Sequence, residues 1–154
     1  MGRLDGKVAL ISGGARGQGA LETEMFSNEG AKVVFGDIRD DEGKQVEAKI
    51  QELGGDVTYI HLDATNEADW QNAVALAESK YGKLDILVNN AGISPPERQI
   101  DITVEQWDMV MDVNAKGVFL GTKHAIPAMQ RAGGGSIVNI SSITATLAAH
   151  ESPS

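Results

Sequence analysis

Lys7-Val8-Ala9-Leu10-Ile11-Ser12-Gly13-Gly14-Ala15-Arg16-Gly17-Gln18-Gly19 is the stretch that decides the fold of this 154-residue chain. An apolar run enters a glycine-rich turn, and Ala20-Leu21-Glu22 leaves it as helix. Glycines alone carry little information, but glycines held between a strand and a helix carry much more. Gly13 permits a tight turn, Gly17 lets the backbone approach a pyrophosphate, and Gly19 lets the helix pack closely. The helix that follows turns free N–H groups and the positive end of its dipole toward such a ligand. A βα turn without a ligand is the plain alternative.

Outward from this turn, short apolar runs alternate with helical patterns. Residues 7–12, 32–37, 57–63, 85–90 and 136–142 read as strands. They are rich in Val, Ile and Leu without strict alternation, the pattern of a parallel sheet covered on both faces. Val46, Ile50 and Leu53 recur at i, i+4, i+7, and Trp70, Val74, Ala77 and Tyr81 at i, i+4, i+7, i+11. Each set predicts a helix with one apolar stripe facing a sheet. Thr103-Val104-Glu105-Gln106 has the form of a capping box. The helix it opens carries Trp107, Val110, Met111 and Val118 on one face. Gly30, Gly54-Gly55, Gly82 and Gly133-Gly134-Gly135 sit where helices should stop. The alternation predicts an α/β fold: a doubly wound, Rossmann-like parallel sheet of five strands with helices on both faces. Residues 1–154 read as one dinucleotide-binding domain. No Pro- or Ser-rich linker divides it, and Ile93-Ser94-Pro95-Pro96-Glu97-Arg98 reads as a loop.

The composition, 42% hydrophobic and 23% charged, is ordinary for a globular domain. A net charge of -9 with scattered Lys and Arg argues against a nucleic-acid partner. No apolar run approaches the ~20 residues of a membrane span. The start, Met1-Gly2-Arg3-Leu4-Asp5-Gly6-Lys7, lacks the apolar core of a signal peptide, so a cytoplasmic location is expected. With no cysteine there are no disulfides, no thiolate catalysis and no Cys-based zinc site. His61, His124 and His150 lack metal-ligand spacing and read as surface or packing residues, so no metal is expected. The sequence has no Gly-x-x-x-x-Gly-Lys-Ser/Thr and no Gly-x-Ser-x-Gly. P-loop nucleotidases and serine hydrolases of the elbow type are thereby set aside.

Five polar residues close predicted strands: Ser12, Asp37, Asp63, Asn89 and Ser142. In open α/β sheets, ligands bind along that edge. Asp37 stands ~20 residues past the turn, where a carboxylate accepts hydrogen bonds from ribose hydroxyls and repels a 2′-phosphate. That favours NAD over NADP, although Arg16 and Arg39 offer guanidinium groups that could hold such a phosphate. Asp63 either serves the ligand or begins the turn at Thr65-Asn66. The adjacent amides Asn89 and Asn90 must find partners. Asn114 falls on the face of Trp107, Val110, Met111 and Val118, where an unbonded amide costs about 1–3 kcal/mol.

Ser12 with Gly13-x-x-x-Gly17-x-Gly19, then Asn89-Asn90-Ala91-Gly92, Val113-Asn114-Ala115 and Ile137-Val138-Asn139-Ile140-Ser141-Ser142 together resemble the short-chain dehydrogenase/reductase family over essentially the whole chain. The resemblance implies an oxidoreductase that transfers hydride between nicotinamide and a secondary alcohol or ketone, with NAD as cofactor and NADP less favoured. It implies cofactor contacts at Gly13, Arg16, Gly17, Gln18, Gly19, Asp37, Asp63, Ala64, Asn90 and Gly92. Asp63 would bond the adenine amino group and Ala64 would contribute backbone. Asn89 and Asn90 would stabilise the central sheet and line the adenosine ribose site. Catalytic roles fall to Ser142, which would polarise and position the carbonyl, and to Asn114, which would distort its helix and hold a relay water on its backbone. Relatives often carry a glycine after such a serine, where Ile143-Thr144-Ala145 stands here.

The family's Tyr-x-x-x-Lys pair is expected ~13 residues after Ser142, just past Ser154, in a protein of about 250 residues. Residues 1–154 are therefore expected to be a C-terminally incomplete cofactor half, inactive alone. The partners implied are a small-molecule alcohol or carbonyl substrate and further copies of the whole protein, as a homodimer or homotetramer, with no membrane. The alternative function is a non-catalytic NAD-binding module with a scaffold or regulatory role.

Overall fold

The computed structural model describes residues 2–94 and 101–142. Its strands are β1 (Val8–Ser12), β2 (Lys32–Asp37), β3 (Val57–His61), β4 (Ile86–Asn89) and β5 (Ser136–Asn139). They form one parallel sheet in the order β3-β2-β1-β4-β5. Its helices are α1 (Gly17–Asn28), α2 (Asp40–Glu52), α3 (Glu67–Tyr81), α4 (Val104–Met111) and α5 (Gly117–Arg131). Growth of the sheet reverses at β1, which pairs with β2 on one side and β4 on the other. This is the doubly wound, Rossmann-like arrangement, with its switch point between β1 and β4.

Two cores explain the unbroken apolar runs. Val8 and Leu10 pack with Val34, Leu87, Trp70 and Leu120 on the face covered by α3 and α5. Ala9 and Ile11 pack with Val33, Phe35, Ile50 and Val88 on the face covered by α1 and α2. Successive side chains of a strand point to opposite faces, so a strand buried on both sides needs an apolar residue at every position. Full burial of such a side chain stabilises by ~1.5–3 kcal/mol. Trp70 meets the remaining polar demand by donating its indole N–H to the Ala64 carbonyl at 3.0 Å.

The strands end earlier than the sequence predicts. β3 stops at His61 rather than Asp63, and β5 at Asn139 rather than Ser142. The cause is the neighbour. His61 pairs with Asp37, the last residue of β2, and Asn139 pairs with Asn89, the last residue of β4. Leu62 and Ile140 each donate one more backbone bond, to Asp37 and Asn89, and then the ladder has no partner left.

Two expected apolar stripes also differ. Leu53 follows the last residue of α2 and is 69% exposed, because the chain turns away there through Gly54 at φ +87°. The Thr103 capping box forms, with Thr103 Oγ1 accepting from Gln106 N–H at 3.2 Å and Gln106 Oε1 from Thr103 N–H at 2.8 Å. The helix it opens is not regular, however. A π turn over Asp112–Lys116 separates α4 from α5. The wider turn shifts the phase of the stripe. Trp107 and Met111 lie half-exposed and α4 buries none of its residues, whereas α5 buries Leu120, Ala125, Ala128 and Met129. No helix among the described residues is long and apolar enough to cross a membrane.

Candidate functional site

A cavity of about 580 Å³ opens at the carboxyl edge of the sheet, over the switch point. Gly13, Arg16, Gly17, Gln18, Gly19, Asp37, Asp63, Ala64, Asn90 and Gly92 all line it. The sequence did not single out Ile38, Leu62, Ala91, Ile93 and Val113 for this site, and they complete the wall together with Arg39. Ser142 and Asn114 are not part of the lining.

The floor is built by close backbone approach. Gly13 has φ +69°, and a Cβ there would fall 2.9 Å from Ala91 Cα. A Cβ at Gly19 would overlap the Gly13 carbonyl and lie 2.5 Å from Asn90 Nδ2. One at Gly14 would lie 2.8 Å from the Phe35 ring, a packing demand that the sequence did not reveal. At Gly17, with φ +54°, a Cβ would meet nothing within 4 Å and would project into open space.

Ser12 and Asn90 lock this floor to β4. Ser12 Oγ accepts from the N–H groups of Asn90 and Ala91, each at 3.1 Å. The Asn90 amide donates to the carbonyls of Ser12 at 3.0 Å and Gly13 at 3.1 Å. Ser12 is therefore a buried tie and does not face the cavity. Asn89 is likewise buried, donating to Asn139 Oδ1 at 2.8 Å. Of the five residues expected at strand ends, Asp37 and Asp63 line the cavity, and Ser12, Asn89 and Ser142 do not.

The first turn of α1 closes the floor. Arg16 at its N-cap makes no side-chain cap, and the turn contains no acidic residue. By contrast α2 begins with Asp40, Asp41 and Glu42, α3 is capped by Asn66, and α4 by Thr103. The first N–H groups of α1 are thereby left for an anion.

The acidic wall stands at the end of β2, with Asp37, and two residues past the end of β3, with Asp63. Asp37 Oδ2 accepts from Ala15 N–H and Oδ1 from Arg39 N–H, each at 3.1 Å. Each oxygen keeps a second lone pair for a ligand. Asp63 Oδ1 accepts from Thr65 N–H at 2.8 Å and Thr65 Oγ1 at 2.9 Å, so it builds the turn before α3 while lining the cavity. Behind the wall, the Tyr59 hydroxyl lies 2.7 Å from both the Asp37 carbonyl and Asp40 Oδ1, and His61 Nδ1 lies 2.9 Å from that same Oδ1. Hydrogen bonds from Tyr59 and His61 hold the Asp40 carboxyl below its usual range. Burial, followed by the Asp40 bond and charge, pushes the Tyr59 hydroxyl up. The Asp40 bond leads the rise at His61.

Asn114 sits in the π turn and clasps Ile93. Its Oδ1 accepts from Ile93 N–H at 2.9 Å and its Nδ2 donates to the Ile93 carbonyl at 2.8 Å. The amide thus finds its partners in a wall of the cavity. Ser142 is exposed, three residues past the end of β5. His150 and residues 95–98 of the predicted loop lie outside the described residues. Among the described residues no group of three or more His, Asp or Glu side chains is placed to hold a metal ion.

This geometry has close counterparts. A 3-alpha-(or 20-beta)-hydroxysteroid dehydrogenase of Mycobacterium tuberculosis is 51% identical over 152 residues, covering 97% of this chain and 57% of the relative. A 2,5-dichloro-2,5-cyclohexadiene-1,4-diol dehydrogenase of Sphingobium indicum is 48% identical over 141 residues, covering 92% of this chain and 56% of the relative. A crystal structure of a short-chain type dehydrogenase/reductase from Mycobacterium marinum superimposes with a TM-score of 0.90 at 30% identity, over 96% of this chain and 60% of that one. The chain thus spans little more than half the length of the relatives it matches. The model of the short chain dehydrogenase family matches residues 7–153. With the glycine floor, the uncapped α1 and the acidic wall in the positions described, this chain belongs to the short-chain dehydrogenase family.

Proposed function

We propose that this chain is the NAD-binding domain of an oxidoreductase acting on a secondary alcohol or its ketone. The observation that carries the reading is the single cavity that gathers the glycine turn, the unshielded N-terminus of α1 and the Asp37 carboxylate. The residues fit a dinucleotide. The cavity volume lies within the usual ~300–1,000 Å³ of small-molecule sites. The N–H groups of α1 would hold the pyrophosphate, Asp37 the ribose hydroxyls, and Asp63 with Ala64 the adenine. Asn90 would line the adenosine ribose site, with Gly92 beside it in the cavity wall.

NAD is favoured over NADP. Asp37 presents a carboxylate at the ribose edge, and Asp40, Asp41 and Glu42 follow it in the first turn of α2. Arg39, the nearest cation by sequence, pairs with Glu42 at 3.2 Å. A 2′-phosphate would meet net negative charge there.

The dinucleotide, when bound, supplies the redox chemistry. The chain supplies order. Asn114 fixes Ile93 and, in the same reading, keeps a relay water on the backbone of the π turn. Ser142 would hydrogen-bond the substrate oxygen and orient it. The substrate would be a ring-bearing alcohol, since the two relatives above are named for a hydroxysteroid and a cyclohexadienediol. The same reading includes a cytoplasmic protein that assembles as a homodimer or homotetramer.

Calorimetric titration of NAD+ and NADP+ into the protein tests the binding part. NAD+ is expected to bind about ten-fold more tightly or better, a difference of ~1.4 kcal/mol. Absence of NAD+ binding would overturn the reading. Oxidation of cyclic secondary alcohols with NAD+ by the full-length protein, followed at the nicotinamide absorbance, separates the oxidoreductase from a non-catalytic NAD-binding module.

A further inference from the structure

The two walls at the acidic end of the cavity come from different elements. One is residues 37–39, which run into α2, and the other is residues 62–64, which run into α3. His61 stands between those helix starts. Its Nδ1 is 2.9 Å from Asp40 Oδ1, at the first residue of α2. Its Nε2 is 3.9 Å from Asp69 Oδ2, in the first turn of α3. Asp69 Oδ2 also accepts from Asp63 N–H at 2.9 Å, so it is fastened to the second wall. Asp40 is fastened to the first wall through Tyr59, whose hydroxyl touches the Asp37 carbonyl.

We propose that His61 is a positioning residue for the adenosine end of the site: its protonated ring joins Asp40 to Asp69 and holds the two walls together. This rests on the dinucleotide reading above. At 3.9 Å the Nε2 side is held by charge and not by a hydrogen bond, so the link to Asp69 needs the protonated ring. A neutral ring can keep only its Nδ1 bond to Asp40. Without the cation, the negative charges of Asp40, Asp69 and Asp63 that act on the ring are left unbalanced. Lys44 on α2 is the other charge acting on Asp40, and the Tyr59 hydroxyl is its remaining neighbour from β3. The three carboxylates favour the protonated ring, with Asp40 dominant through its hydrogen bond. The clasp is therefore present at low pH and lost as pH rises through the raised value of His61.

The test is NAD+ affinity by calorimetry at pH 5.5, 6.5, 7.5 and 8.5, at constant ionic strength, with the full protein. The pair is exposed, so the effect is modest. Wild type should bind about three-fold more weakly at the top of the range than at the bottom. His61→Gln should bind at the weaker level throughout, with no pH dependence. Asp40→Asn should move the midpoint to lower pH, a change that simple loss of packing would not produce. His124→Gln, which breaks the pairing of α5 with Glu67 and touches neither Asp40 nor His61, should keep the wild-type profile. A flat wild-type profile, or a profile that survives in His61→Gln, overturns the role of His61 while leaving NAD binding intact. No NAD+ binding at any pH overturns the dinucleotide reading, and this inference with it.

Discussion

Gly19 and Asn90 occupy one another's space: a β-carbon on the glycine would lie 2.5 Å from the amide nitrogen of Asn90. That nitrogen is already committed to the carbonyls of Ser12 and Gly13. Helix α1 can approach the turn only because residue 19 has no side chain. Gly19→Ala should destabilise the domain by about 1–3 kcal/mol, the usual range for overpacking. It should also abolish NAD+ binding. Chemical denaturation and calorimetry check the two effects separately, and a variant of wild-type stability and affinity would contradict the packing described.

Asp37→Asn keeps the shape and removes the charge at the ribose edge. NAD+ affinity should fall and NADP+ affinity rise, narrowing their ratio by about ten-fold. Competition titrations with the two dinucleotides read this directly. An unchanged ratio would move the discrimination elsewhere, with the acidic first turn of α2 the next place to look.

Asn114→Ala removes both bonds to Ile93. The net loss should be about 1–2 kcal/mol of stability, from two hydrogen bonds of ordinary worth. The local effect should be larger than the global one. Amide hydrogen exchange at Ile93 should rise well beyond the rise at β1, and equal acceleration at both places would make the clasp merely structural.

Asp85 makes acid stability testable. Its Oδ2 accepts from Val8 N–H at 2.8 Å, Lys83 lies 2.9 Å away and Lys7 3.8 Å. Burial pushes this carboxyl up, but the Lys83 and Val8 bonds, aided by the charges of Lys83 and Lys7, bring it below the usual range. A lowered folded value means the contribution is fully present above the unfolded value and is lost as pH falls through the folded one. Wild type should exceed Asp85→Asn by about 1–3 kcal/mol near neutrality. The gap should close below about pH 4, near and under the unfolded value. Urea titrations from pH 3 to 7 measure it, and a gap independent of pH would contradict the assignment.

The sheet was legible because each βα unit writes its own signal. Apolar runs such as Val33-Val34-Phe35 can be buried on both faces only in a covered parallel sheet, and Gly13 and Gly19 mark the turn at its edge. Position at a strand end also placed Asp37 and Asp63 beside the cavity. What stayed hidden depends on partners distant in the chain. Ser12 reads as an edge hydroxyl, yet its bonds go to residues 78 and 79 positions away. His61 reads as a surface residue, and its partner Asp40 lies 21 positions upstream with no periodicity to link them. The lengths of β3 and β5 are set by where β2 and β4 stop, which no local pattern encodes. The π turn is hidden for a different reason: one extra residue in a turn leaves the count of apolar positions unchanged while rotating everything after it.

The tie from Ser12 Oγ to the backbones of Asn90 and Ala91 has a kinetic meaning. Both sides of the crevice are tied to each other by bonds within the protein itself. Little ordering entropy remains to be lost at the glycine floor when a dinucleotide docks there. Association should then proceed as a single bimolecular phase at the glycine floor, without a slow isomerisation of that surface. Differences in affinity among ligands sharing a pyrophosphate should accordingly appear in how quickly they leave.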